Sequence, residues 1–175
     1  MRIIAGRWRG RRLKAPRGRD VRPTTDRVRE SWMAALGSDV EGATVLDLFA
    51  GSGALGFEAL SRGAEHVVFI ERARSALDTI RANAELLGAS QETEIRRGDA
   101  VGYVKRLTAG SFDLAFADPP YGKGLAALVM EAFSVTPYAS QLWVEHRKTD
   151  TIPDLTGLRQ RRYGDTLISM VEANS

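Results

Sequence analysis

The sequence predicts an α/β fold of three layers, with helices on both sides of a mostly parallel, seven-stranded sheet. Three observations carry this. Short apolar runs alternate with helical patterns along most of the chain, as crossover connections between parallel strands require. The first of these runs breaks into a glycine turn that opens a helix, TVLDLFAGSGALG at 44–56. Near the end, Leu158–Tyr163 and Leu167–Val171 flank Gly164 and Asp165, the pattern of a closing hairpin.

Composition bounds the possibilities. A chain of 175 residues holds one well-buried domain, and 43% hydrophobic with 27% charged residues suits a soluble protein. No apolar run approaches a membrane span, and no signal peptide is expected, so the expected location is cytoplasmic. The absence of cysteine excludes disulfides, thiolate zinc sites and thiol nucleophiles, and with them carbon-5 methylation of pyrimidines by a covalent cysteine route. His66 and His146 read as strand-end surface residues without a role, and no metal site is expected.

Charge is unevenly spread. Residues 1–29 hold eleven Lys and Arg against two Asp, a balance of +9, which leaves −6 for the remainder of a chain whose net charge is +3. Residues 1–25 are therefore expected to form a basic arm and connector, and 26–175 the main domain. Within the arm, Met1–Pro16 reads as a hairpin, with Ile3 and Ile4 on one side, Leu13 on the other and Gly6 and Gly10 at the bend. Arg7, Arg9, Arg11, Arg12 and Lys14 stud it around Trp8, and Arg22 follows in the connector. Basic side chains interleaved with an aromatic suit phosphate contacts and stacking on an unpaired base. The competing reading is a solvated tail; the apolar residues, which give the arm something to pack with, favour binding.

The connector ends in RPTT, with Thr24 or Thr25 as N-cap and Asp26 in the first turn of a helix running through Val28, Trp32, Ala35 and Leu36 to Gly37. Thr44–Phe49 is the first strand. After the turn at Ala50–Gly53, a helix runs to Arg62. His66–Glu71 is the second strand, Ala73–Leu87 an amphipathic helix and Thr93–Arg97 the third strand. Asp99 either caps a helix over Val101–Leu107 or accepts from an adenine amine; both can hold. Phe112–Ala117 is the fourth strand, Lys123–Phe133 a helix and Gln141–Glu145 the fifth strand.

The glycine turn admits two ligand classes. Gly51, Gly53 and Gly56 satisfy G-x-G-x-x-G with Glu71 about twenty residues on, which points to a dinucleotide. Asp47, inside the strand before the turn, instead suits a ligand carrying an amino group and no phosphate, such as S-adenosylmethionine. Asp118–Tyr121, DPPY, directly follows the fourth strand. An exocyclic amine on a nucleobase is a poor nucleophile because its lone pair is delocalised into the ring. The Asp118 carboxylate and the Pro119 carbonyl can both accept hydrogen bonds from such an amine, and Tyr121 offers a flat face to the base. Both prolines lack N–H donors, so acceptors line the site.

Together, VLDLFAGSGALG, Glu71, the GDA at 98–100 and DPPY resemble the S-adenosylmethionine-dependent amino-group methyltransferases. RPTTDRVRE behind a basic hairpin is further similar to the RsmD family, which methylates guanine N2 in small-subunit 16S ribosomal RNA. The resemblance implies a Rossmann-like class I methyltransferase fold with an N-terminal β-hairpin extension, acting as a monomer on 16S rRNA in the small ribosomal subunit or its assembly intermediate. It implies S-adenosylmethionine as cofactor and S-adenosylhomocysteine as product. It places Gly51 and Gly53 around the methionine moiety with Asp47 beneath, Glu71 at the ribose, Asp99 and Ala100 at the adenine, Ala50 and Arg72 also against the cofactor, and Thr24 and Thr25 in a segment closing over it. Asp118, Pro119 and Tyr121 would be catalytic, with Asp118 also near the cofactor. A DNA adenine-N6 methyltransferase shares DPPY but would need a target-recognition domain. A non-catalytic ribosome-assembly factor would not need Asp118 and Tyr121, and an NAD-dependent reductase would need a hydride-transfer constellation that is not evident.

Overall fold

In a computed structural model, which describes residues 1–16 and 26–173, the alternating pattern forms the expected layers. The elements are α1 (Asp26–Leu36), β1 (Thr44–Leu48), α2 (Ala54–Ser61), β2 (His66–Glu71), α3 (Arg74–Leu87), β3 (Thr93–Arg97), α4 (Ala100–Val104), β4 (Phe112–Ala117), α5 (Leu125–Val135), β5 (Ala139–Arg147), β6 (Arg159–Tyr163) and β7 (Thr166–Glu172). Seven strands form one sheet in the order β3-β2-β1-β4-β5-β7-β6. β1 to β5 are parallel, and β7 runs antiparallel to both β5 and β6. This is a Rossmann-like architecture. Because β1 is central and the order reverses there, the carboxyl ends of β1, β2 and β4 surround the crevice where such sheets bind ligands.

Side chains alternate across the sheet, giving it two cores. Val45, Phe69, Phe116 and Trp143 face Trp32 and Phe57 on one side, while Leu46, Leu48, Ile70 and Val144 face Val129, Met130 and Phe133 on the other. Trp32 meets Phe116 edge-on at 5.7 Å and stacks on Trp143 at 6.5 Å. Among the described residues no helix is long and apolar enough to cross a membrane.

Several local expectations are corrected. α1 packs Val28, Trp32, Ala35 and Leu36 on the core as expected, but it also buries Met33 and an arginine, Arg29. The fourth helix ends at Val104, where the following amides of Arg106 and Leu107 bond three residues back and tighten the chain into a turn. α5 starts at Leu125 because Gly122 and Gly124 are left-handed (φ 71° and 67°), a conformation that cannot extend the helix backwards. β5 continues to Arg147 through its ladder with β7. His146, on that extension, is not a surface residue: it is 1% exposed, with its Nε2 2.7 Å from Ser169 Oγ.

The basic arm is a minimal hairpin, bridged at Arg2 and Arg12, and it packs on the body of the domain. Ile3 and Leu13 are buried in the same core as α1 and α2. Ile4 and Ala5 donate their amides to Glu58 of α2 at 2.8 and 3.0 Å, and Arg7 donates its own to Ser61 O at 2.9 Å. Gly6 makes this approach possible, since a Cβ there would lie 1.8 Å from Ser61 O. At the other end, buried Asn83 of α3 accepts from Lys14 N and donates to both Lys14 O and Ser52 O, tying the arm to the glycine turn.

Candidate active site

The turn after β1 starts from a backbone outlier that the sequence does not announce. Phe49 has φ 58°, a left-handed conformation costing about 1–2 kcal/mol for a residue with a Cβ. Such outliers persist where the surroundings enforce them, and they cluster at ligand sites. Here Ala50 N–H, donating to Ile70 O at 3.1 Å, holds the chain as it leaves the strand. Gly56 then lets α2 lie against β2: a Cβ there would fall 2.3 Å from the Phe69 ring.

Asp47 projects from β1 towards α2 and is 1% exposed. Its Oδ2 accepts from Gly56 N at 3.0 Å, so it supplies the helix N-terminus with the carboxylate that Gly53, lacking a side chain, cannot. Burial holds its pKa well above the ordinary carboxylate value; the Gly56 amide opposes this, and the charges of Asp118 and Glu71 add to it. Between the ordinary and the raised value the folded chain binds more protons than the unfolded one, so this group's contribution to stability falls as pH rises through that window. Asp47→Asn keeps an acceptor for Gly56 without the buried charge. It is therefore expected to be at least as stable as wild type at neutral pH, and its lead should grow upward from about pH 4. Urea unfolding of both proteins across pH measures the difference; parallel curves would contradict it.

Glu71, at the end of β2, is 6% exposed. Its Oε2 accepts from Gly51 N at 2.9 Å and its Oε1 from Arg72 N and Ala73 N at 2.8 and 2.7 Å, so one carboxylate joins the glycine turn to the start of α3. Asp99 caps α4, with Oδ2 accepting from Gly102 N at 2.7 Å, and Ala100 is buried. Asp118 and Pro119 follow β4 directly, Asp118 half-buried and Pro119 buried. Pairing of β4 with β1 sets the end of β4 beside the turn, with Leu48 opposite Ala117.

Tyr121 is fixed by residues that sequence reasoning did not single out. Its hydroxyl donates to Glu145 Oε1 at 2.6 Å, and Glu145 is 3% exposed. Burial and then this carboxylate push the phenol pKa up, so Tyr121 stays a neutral donor. The Arg147 guanidinium lies 4.9 Å from the ring centre. Asp150 accepts from Gly122 N at 3.3 Å and Arg147 N at 2.9 Å, pinning the loop after the tetrapeptide. Beside Pro119 and Pro120, against the start of α5, lies a cavity of about 320 Å³.

The arm's predicted RNA contacts are placed unevenly. Arg9, Arg12 and Lys14 are exposed. Arg7 is ion-paired with Glu92, and Arg11 donates to Leu86 O at 2.8 Å. Trp8 packs partly on the core, with the Arg7 guanidinium 3.9 Å from its ring centre, so it clamps the arm instead of presenting an open stacking face. Thr24, Thr25 and Arg22 lie outside the described residues.

Asp47, Glu71 and Asp118 thus bring three carboxylates to the ends of adjacent strands. That field disfavours a pyrophosphate and fits a ligand bearing an ammonium and a sulfonium. A Cβ on Gly51 would meet nothing closer than 3.9 Å, so the turn is open to a ligand on that side.

Comparison with known proteins agrees with this site. The chain is 38% identical over 182 residues to a Bacillus subtilis protein named "Putative rRNA methyltransferase YlbH", with 97% of each chain covered. It is 40% identical over 128 residues to ribosomal RNA small subunit methyltransferase D of Haemophilus influenzae, covering 72% of this chain and 66% of that protein. The solved structure titled "Putative methyltransferase yhhF from Escherichia coli" superposes with a TM-score of 0.84 at 32% identity, over 97% of this chain and 96% of the other. A family model described as "Conserved hypothetical protein 95" matches residues 1–172. The chain therefore belongs to that family, as an RsmD-type methyltransferase whose cofactor is S-adenosylmethionine.

Proposed function

We propose that this protein methylates the exocyclic N2 of a guanine in 16S rRNA, with the small ribosomal subunit or its assembly intermediate as substrate. The observation that carries the reaction type is the DPPY loop at the end of β4, set beside the glycine turn and held rigid through Tyr121 and Glu145. The rRNA target is supported by the names of the relatives; the choice of guanine N2 is supported by the RPTTDRVRE segment and the basic arm.

In this reading the bound cofactor supplies a methyl group made electrophilic by its sulfonium. Ala50, Gly51 and Gly53 border its amino-acid end above Asp47, Glu71 and Arg72 its ribose, and Asp99 and Ala100 its adenine. The target base is extruded from its stack against Tyr121. Asp118 and the Pro119 carbonyl accept the two amine hydrogens, which fixes the nitrogen's direction and favours its tetrahedral form. As the nitrogen gains positive charge, the Asp118 carboxylate stabilises it and takes the departing proton. Positioning supplies much of the rate.

Incubation with labelled S-adenosylmethionine and small subunits lacking the modification, followed by digestion to nucleosides, tests the reading. Label is expected in N2-methylguanosine. Label in another nucleoside, or in duplex DNA offered in parallel, would refute it.

A further inference from the structure

The site carries acidic groups, with half-buried Asp118 at its opening, Asp47 and Glu71 buried within interaction range beneath it and Glu145 buried behind Tyr121. A cationic cofactor gains from that field, but the phosphates of an RNA strand are repelled by it. An RNA-modifying site of this kind needs cations close to the mouth. The N-terminal arm brings Lys14 close, tied through Asn83 to Ser52 of the glycine turn, but its bend does not supply further cations there. The bend docks on Ser61, the last residue of α2, whose first turn adjoins the glycine turn; eight helical residues separate the two by about 12 Å.

Two exposed guanidinium groups flank Tyr121 on the sheet side, Arg147 over its ring and within the field of Asp165, and Arg161 beyond it. Arg147 pairs in register with Thr166 and so with Tyr163, while Arg161 pairs with Ile168 and so with Glu145. Glu145, Arg147 and Arg161 therefore project to one face of the sheet, and two strand spacings separate β5 from β6 by about 10 Å. Both arginines are exposed, and among the described residues neither guanidinium makes a hydrogen bond or an ion pair. Their neighbours differ. Arg159 is paired with Glu172 at 3.1 Å, Lys148 with Asp165 at 2.7 Å, and Arg162 Nε donates to Gly164 O at 2.7 Å. β6 is the edge strand, so Arg161 lies at the border of the sheet, while Arg147 lies on the Tyr121 ring itself.

We propose that Arg147 and Arg161 form a phosphate-binding track for the single-stranded RNA flanking the target base, leading from Tyr121 across β7 to the edge of the sheet. The track rests on RNA being the substrate, as proposed above. Arg147 holds the phosphate next to the extruded base and Arg161 one further along the strand. Such contacts orient the strand and add affinity without reading sequence.

The test uses the full chain, with small ribosomal subunits lacking the modification as the RNA substrate, and compares Arg161→Ala, Arg161→Glu and Arg161→Lys with wild type. Among the described residues Arg161 makes no hydrogen bond, ion pair or ring contact with Tyr121 or the glycine turn, so kcat and S-adenosylhomocysteine affinity should stay within about twofold of wild type, while the KM for RNA rises roughly three- to tenfold in Arg161→Ala and further in Arg161→Glu. The slope of log affinity against log salt should fall by about 0.7 for the lost contact, and Arg161→Lys should restore it. Arg147→Ala should show the same fall in slope together with a lower kcat, because it also frees Tyr121. If wild type methylates guanine N2 and both Arg161→Ala and Arg161→Glu keep its KM and salt slope, the track is overturned and the reaction stands. If wild type transfers no methyl to RNA, both fall together.

Discussion

Asp118→Ala is expected to lower methyl transfer by about three orders of magnitude while leaving S-adenosylhomocysteine affinity within about twofold. The reasoning starts from position. Asp118 leaves the carboxyl end of β4 in front of two prolines, so its carboxylate and the next carbonyl are the acceptors presented there. Losing an acceptor that is needed as charge develops on nitrogen falls on kcat. The cofactor's other proposed contacts, from the glycine turn, Glu71 and Asp99, belong to β1, β2 and the start of α4, which the substitution does not touch. Urea unfolding of the variant separates a catalytic defect from loss of the fold. Asp118→Asn keeps one acceptor oxygen but adds a donor facing the amine, and its activity should lie between the two. Calorimetry with S-adenosylhomocysteine and single-turnover methylation decide this. Equal losses of cofactor binding and turnover would place Asp118 among the cofactor's contacts.

The elements lining the crevice were legible because their signals are local. HVVFIE and FDLAFA are short apolar runs ending in residues at the binding edge, and glycines mark the turn between strand and helix. The strand-end rule that singles out Glu71 applies equally to Glu145 at the end of QLWVE, where it passed unused. The reason is that Glu145 acts through Tyr121, a partner 24 residues away that only the sheet order brings next to it. Polar residues buried by distant partners leave no periodic trace. Arg29 sits at helical spacing with Trp32, Met33 and Leu36, yet nothing local says that an arginine can point inward there. Asn83 likewise lies on the buried face of α3 among Ile80, Ala84 and Leu87, with its partners in the arm and the glycine turn. His146 was misplaced for the same reason, since Ser169 of β7 covers it.

Glu58→Ala should be the most destabilising single substitution of a polar residue in this chain, at about 3–5 kcal/mol, because it strands a buried charge. Glu58 is fully buried in α2 and gathers four partners: the amides of Ile4 and Ala5, Arg62 Nε at 2.9 Å and Arg29 Nε at 3.8 Å. Arg29 is 1% exposed. One of its nitrogens reaches Arg2 O and Asp26, while its Nε and Nη1 have no hydrogen-bond partner among the described residues. Removing the carboxylate would leave that guanidinium with Asp26 as its only charged partner among the described residues, and Asp26 is 61% exposed and correspondingly screened. It would also leave two amides of the arm without their acceptor, so the effect should concentrate where the arm docks. Glu58→Gln keeps an acceptor oxygen without the charge, and its cost should be smaller. Urea unfolding gives the total, and amide hydrogen exchange at Ile4 and Ala5 gives the local part; in Glu58→Ala both amides should exchange much faster than the β1 amides. A cost below about 1 kcal/mol with those amides still protected would show that Ile3 and Leu13 hold the arm without this carboxylate. Release of the arm would also free Lys14 from Asn83 and hence unload Ser52, so cofactor affinity should weaken in Glu58→Ala although Glu58 lies away from the crevice.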